Sequence, residues 1–215
     1  MHNMINEYLE YLREGYLFND KTISIDLDKF ISGESNKLII AGLSGGGKTT
    51  LGNYLSKKYK CNFNEIDECN KKNMTREEYY NFIMVKTSAE DPEIFKRFWV
   101  KCFKPALLSN KREVIEGNLF QIYNLIPSTK PLINQYPVII LGKSALKAVW
   151  DRTQRTLRKQ YAKEKYSNPK DRYEKYKRGV ILNFKYLQKY LDQFRKERIK
   201  AGGDIQQFEI PKLKI

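Results

Sequence analysis

The stretch Gly42-Leu43-Ser44-Gly45-Gly46-Gly47-Lys48-Thr49 is the part of this chain whose residue types and spacing point most directly to chemistry. It satisfies G-x-x-x-x-G-K-[ST], the Walker A or P-loop pattern. Glycines let the loop curl until successive backbone N–H groups point inward, and a helix starting at its end adds positive potential there. A polyphosphate fits such a concavity. The expected contacts to ATP or GTP are Gly42, Ser44, Gly45, Gly46, Gly47, Lys48, Thr49 and Thr50, with Lys48 reaching the β- and γ-phosphates and the Thr49 hydroxyl on Mg²⁺.

Further chemistry is expected where acids and arginines fall. Asp67, with Glu68 beside it, follows a strand candidate and is placed to orient an acceptor hydroxyl and take its proton, or else to cap the next helix. Glu116 in Val114-Ile115-Glu116-Gly117 is a candidate for holding Mg²⁺, through water or directly, or for binding the acceptor; the alternative is an exposed acid in a turn. Gly117 lets the backbone approach closely there. Arg152 and Arg155, three residues apart on a predicted helix, can point together, and arginine forks bind phosphate oxygens in pairs.

A P-loop needs a strand before it and a helix after it. Lys37-Leu38-Ile39-Ile40-Ala41 is a short apolar run ending at glycine, the pattern of a buried parallel strand, and a helix is predicted from about Lys48 to Lys58. Further strands are predicted over Asn62 to Ile66, Arg112 to Gly117 and Pro137 to Gly142, with a helical region over roughly Arg76 to Ser109 and a helix from about Ser144. Strands alternating with helices imply an α/β fold: a central, mainly parallel sheet with helices on both faces, the three-layer P-loop architecture. Ligands in such sheets sit at the carboxyl ends of the strands, where the candidate residues fall.

Residues 1–35 read as an N-terminal extension, with an amphipathic helix around Ile5 to Arg13 and an edge strand over Thr22 to Leu27; residues 36–215 read as one P-loop domain. Near the other end, Val180, Phe184, Leu187, Leu191 and Phe194 repeat at helical spacing, giving an apolar face on a helix that ends near Ala201-Gly202-Gly203. Ile205 to Ile210 fits a closing strand. Between these, about 152–178 is basic with interleaved tyrosines and fits a helical lid, a surface on which bases stack, or a solvent-facing hairpin.

The loop GLSGGGKTT, the acid at Asp67, the strand VIEG and the strand PVIILG followed by a helix with DRTQR occur in an order and spacing that resemble the nucleoside monophosphate kinase group of P-loop kinases, whose relatives include adenylate, shikimate, gluconate and uridine kinases. The resemblance spans roughly residues 37–200. It implies Arg152 and Arg155 as lid arginines over the phosphates and Asp67 with Glu116 near the acceptor.

Composition narrows the rest. The net charge is +15, and residues 143–200 carry 19 Lys and Arg against 6 Asp and Glu, a net +13. That stretch suits a nucleic acid or a highly charged phosphate ligand, or is a solvated helical face. Cys61, Cys69 and Cys102 form no CxxC and are expected as reduced thiols, and His2, the single histidine, is expected to do no catalysis. No long apolar run is present, so no membrane association and a cytoplasmic location are expected; the Lys-, Asn-, Ile- and Tyr-rich composition suits an AT-rich genome, a viral one included. Two functions follow: an ATP-dependent kinase with Lys48, Asp67, Arg152 and Arg155 in catalysis, whose acceptor is a nucleoside, a nucleotide or a hydroxyl on DNA or RNA; or a P-loop NTPase or nucleotide switch that engages nucleic acid without phosphorylating it.

Overall fold

Alternating residues of the central strands bury apolar side chains on opposite faces, and helices cover both. In the computed structural model, which describes residues 22–43, 46–75, 78, 92–141 and 187–207, six strands form one mixed sheet in the order β3-β4-β2-β5-β1-β6. They are β1 (Ile23–Ile25), β2 (Lys37–Ala41), β3 (Asn62–Glu65), β4 (Glu113–Glu116), β5 (Val138–Ile140) and β6 (Ile205–Gln207). β3, β4, β2 and β5 are parallel neighbours; β1 runs antiparallel to both β5 and β6.

Leu38 and Ile40 of β2, Val114 of β4 and Ile139 of β5 face one layer, made by Leu27 and Phe30 of α1 (Leu27–Ser32) and Leu51 and Leu55 of α2 (Lys48–Lys58). The intervening Ile39, Ala41, Ile115, Val138 and Ile140 face the other. That second layer comprises α3 (Ile66–Lys72), α4 (Pro92–Phe98), α5 (Lys104–Leu108), α6 (Leu119–Leu125), α7 (Lys130–Ile133) and the helix α8 over residues 187–200. A π-helical turn, Trp99–Phe103, joins α4 to α5 just before Pro105. A proline inside a helical run lacks the N–H and crowds the carbonyl four residues back, and the wider turn relieves that crowding.

The expected strand near the N-terminus is present but is no edge: β1 lies between β5 and β6, so Ile23–Ile25 are built into the sheet, and β6 is the outer strand. α8 is fixed on the second layer by Leu191 and Phe194, by the edge-on Phe194–Tyr123 ring contact at 4.8 Å, and by Asn124 Nδ2 donating to Tyr190 O at 2.8 Å. The Arg198 guanidinium donates to Asn134 Oδ1 and Tyr136 O, both at 2.8 Å, tying down the chain that leads into β5. Burial pushes the Arg198 pKa below its ordinary value.

The cysteines differ from expectation. Cys69 of α3 and Cys102 of the π turn form a disulfide, and Cys61 is free. Packing of α3 along the π turn brings the two Cα atoms to 5.9 Å, within the span a disulfide bridges, although 33 residues separate them in the chain. The helix expected around Ile5 to Arg13, the helix from Ser144, Val180, Phe184 and the lid over about 152–178 lie outside the described residues. Among the described residues no helix is long and apolar enough to cross a membrane.

Candidate functional site

β2 ends at Ala41 and α2 begins at Lys48, so the glycine-rich loop emerges at the carboxyl end of a central strand and closes on a helix N-terminus. Gly47 caps α2 with φ 88°, left-handed backbone that a side chain disfavours. The first-turn amides of Lys48, Thr49 and Thr50 have no carbonyl four residues back within the helix, which leaves them as donors at the positive end of its dipole. Inside the loop, Leu43 O accepts from the Gly46 N–H at 3.1 Å and from Lys48 Nζ at 3.2 Å.

β4 pairs with β2 in register Ile40↔Glu116, which carries Glu116 to the same end of the sheet, directly beneath the loop. Its carboxylate accepts from the Thr49 hydroxyl at 3.0 Å through Oε2 and lies 3.4 Å from Lys48 Nζ through Oε1. Glu116 is 3% exposed and Lys48 6%, whereas Thr49 and Thr50 are exposed. One buried carboxylate therefore holds both Lys48 and Thr49 of the loop, with the hydroxyl at the boundary to solvent. The sequence separation of 67 residues gave no sign of this contact. Gly117 has the close approach expected of it: a Cβ there would lie 3.0 Å from the Phe103 ring and 3.1 Å from Ile66 Cβ.

The acids after β3 are arranged differently from expectation. β3 ends at Glu65 and α3 starts at Ile66, so Asp67 and Glu68 lie in the first turn of a helix rather than at a strand end. Glu68 is exposed and ion-paired with Lys71 one turn on, which holds its carboxyl below the usual range. Asp67 is partly exposed. The residue at the strand end is Glu65, which sequence reasoning passed over. It pairs in register with Glu116, and Phe63, two residues before it, packs under α2, so Glu65 and Glu116 share the face that α2 covers. Glu65 occupies the N-cap position of α3 but makes no side-chain cap hydrogen bond. Partial burial, and then the neighbouring charges of Glu116, Asp67 and Glu68, raise its pKa above the ordinary carboxylate value. The run Phe63-Asn64-Glu65-Ile66-Asp67-Glu68 offers three acids, and only the point where strand turns to helix selects among them.

The structure thus brings together Gly42, Gly46, Gly47, Lys48, Thr49, Thr50 and Glu116, with Glu65 beside them. Ser44, Gly45, Arg152 and Arg155 lie outside the described residues. Thr49 and Glu116 supply one neutral and one charged oxygen, which fits Mg²⁺, an ion that keeps several waters and binds through one or two protein oxygens plus phosphates. No protein-family model matches the chain, and a search of curated proteins finds no significant match.

Proposed function

We propose that the chain is an ATP-dependent phosphotransferase that moves the γ-phosphate to a nucleotide-like acceptor, with the loop from Gly42 to Thr49 acting as a P-loop. The observation that carries this reading is the contact of Glu116 with Thr49 and Lys48 at the carboxyl end of adjacent parallel strands. A glycine-rich turn with no ligand needs neither a lysine nor an acid buried under it.

The geometry supports the following roles. Lys48 leaves Leu43 O and Glu116 and turns to the donor phosphates, while the first-turn amides of α2 receive the oxygens nearest the helix axis. Mg²⁺ would be held by the Thr49 hydroxyl oxygen and by Glu116, directly or through water. Mg²⁺, when bound, neutralises charge that develops on the transferred group. Glu65, in register with Glu116 on the next strand, is the carboxylate this reading gives to the acceptor hydroxyl, in the role expected of Asp67. The acceptor is then a hydroxyl held by a carboxylate, of a nucleoside, a nucleotide or a nucleic-acid end.

A second reading is favoured by one observation: the pairing of Glu65 with Glu116 also supplies two adjacent carboxylates that can orient water, as a P-loop NTPase requires. Transfer of γ-labelled phosphate from ATP to a panel of nucleosides, nucleoside monophosphates, DNA and RNA separates the two, with Lys48→Ala as control. Label in one acceptor class, abolished by the control, is the expected result. Label only in free phosphate supports the NTPase, and no turnover with any acceptor or water overturns both.

A further inference from the structure

At the opposite, amino-terminal end of the sheet, lysines gather around two tyrosines. α2 ends in Lys57 and Lys58, Tyr59 is its C-cap, and Lys60 follows in left-handed backbone with φ 48°. The Lys60 N–H donates to Lys57 O at 3.4 Å and the Cys61 N–H to Ser56 O at 2.9 Å, the double closure of a Schellman turn. Glycine ordinarily occupies the position of Lys60 in that turn, because left-handed backbone crowds any Cβ. Asp26 and Lys60 are the two described non-glycine residues with positive φ. Asp26 has a structural use: it accepts from the Asp204 N–H at 3.2 Å and pairs with Lys29 at 3.5 Å. Lys60 is exposed and makes no ion pair among the described residues.

Two residues later the Asn62 N–H donates to Arg112 O at 3.0 Å, which sets Lys111 and Arg112 beside the Schellman turn. Lys57, Lys58, Lys60 and Lys111 are exposed. Arg112 stacks over Phe30 at 4.8 Å, Phe30 meets Tyr59 edge-on at 5.8 Å, and Lys58 Nζ lies 5.4 Å from the Tyr59 ring and 5.8 Å from the Tyr54 ring. Glu34 is the exposed acid on the adjoining turn after α1. The helix dipole accounts for Lys57 and Lys58 in the last turn of α2. It does not account for Lys60 or Lys111, which lie beyond any helix and which, for Lys60, the backbone disfavours.

We propose that this end of the sheet docks the phosphate backbone of a nucleic-acid strand, with Lys57, Lys60 and Lys111 on successive phosphates and the half-buried Tyr54 and Tyr59 as stacking faces once Lys58 moves aside. Rings set among the cations suit a strand with exposed bases better than a lipid surface, which offers charge alone. The surface is separate from the phosphate loop, and its use does not depend on what happens to a γ-phosphate.

The test is fluorescence anisotropy of labelled single-stranded DNA and RNA, and sedimentation with phosphatidylserine vesicles, with the full chain across a salt series and far-ultraviolet circular dichroism as the check on folding. The triple variant Lys57→Ala, Lys60→Gly, Lys111→Ala is expected to lose at least about tenfold in affinity at low salt and to lower the log–log salt slope by about 2, at about 0.7 for each single-strand phosphate. Wild-type affinity and slope in that variant overturn the proposal, as does a loss confined to phosphatidylserine vesicles. Lys60→Gly alone relieves the left-handed backbone, so it is expected to melt at a higher temperature and yet bind the strand about threefold more weakly. Undiminished binding by this better-folded variant also overturns it.

Discussion

Two buried lysine–glutamate pairs bridge the same region of the sheet at opposite ends and on opposite faces, and they differ in how completely they are closed. Lys37 on β2 and Glu113 on β4 are register partners at the amino end. Lys37 is 0% exposed, and its Nζ donates to Ser109 Oγ at 2.6 Å, to Lys111 O, and to Glu113 Oε2 at 3.2 Å. Three acceptors for three donor hydrogens leave that ammonium complete. Lys48 at the carboxyl end has two contacts among the described residues, to Leu43 O at 3.2 Å and Glu116 Oε1 at 3.4 Å, and stands beside the exposed Thr49. One pair is satisfied by the protein alone; the other, among the described residues, leaves one ammonium hydrogen without an acceptor. Similar burial therefore conceals unequal closure among the described residues, and what separates the two pairs is the count of donors already used.

The sharpest break in that comparison is predicted at the closed end. Lys37→Met removes one partner of a complete buried pair and strands Glu113, which costs about 3–5 kcal/mol of folding stability. Urea unfolding measures it, and a cost under about 1 kcal/mol would show that the amino-end pair is not closed in solution. Lys48→Ala is predicted to reverse the balance. Turnover falls by about two to three orders of magnitude, as when a preorganised donor to a developing negative charge is removed. Stability falls by no more than about 1.5 kcal/mol, because loss of the Lys48 side chain opens Glu116 to water beside the exposed Thr49. Equal destabilisation by the two substitutions would erase the distinction.

What the sequence made legible follows the same division. The apolar runs of β2, β4 and β5 announced a buried parallel core, and the helix expected from Lys48 to Lys58 is α2 to the residue, because glycine before it and a basic last turn mark both ends. Leu187, Leu191 and Phe194 likewise marked the inward face of α8. Contacts set by tertiary register were not legible. Nothing local shows that Glu65 pairs with Glu116, since that depends on β3 ending one residue before Ile66. The Cys69–Cys102 bond depends on α3 lying along the π turn, and β1 was misplaced at the edge because its partner β6 comes 180 or so residues later. The placement of the glycine-rich loop between strand and helix was legible because its pattern lies in consecutive residues, whereas the acid buried under it comes from another strand.

Glu116→Gln tests the open pair more gently. The amide still reaches the Thr49 hydroxyl and fills the same volume, but it removes the charge that holds Lys48 and that, in the proposed function, would support a bound Mg²⁺ ion. A loss of about 10- to 100-fold in turnover, recovered in part at high Mg²⁺, is the size expected for a group that supports a metal ligand. A variant with full turnover at low Mg²⁺ would reduce Glu116 to a packing residue and leave the loop as the whole site.

The smallest effect concerns Glu65, which completes the contrast with Glu113. Glu113 has a lysine in register; Glu65 has another carboxylate. Burial and the nearby acids raise its pKa in the folded chain, so the folded state holds that proton more tightly than the unfolded one. The favourable contribution is fully present below the unfolded value and is lost as pH rises through the folded value, a window that opens just above the ordinary carboxylate range. Glu65→Gln removes the titration. The variant is therefore predicted to match or trail the native protein at low pH and to exceed it near neutrality, by less than about 1 kcal/mol because water screens a partly exposed group. Urea midpoints for both proteins across this range measure the difference directly. A difference that does not grow with pH would mean that the carboxylate at the end of β3 is as well accommodated as the one at the start of β4, and that the open end of the sheet stores no electrostatic tension for an acceptor to relieve.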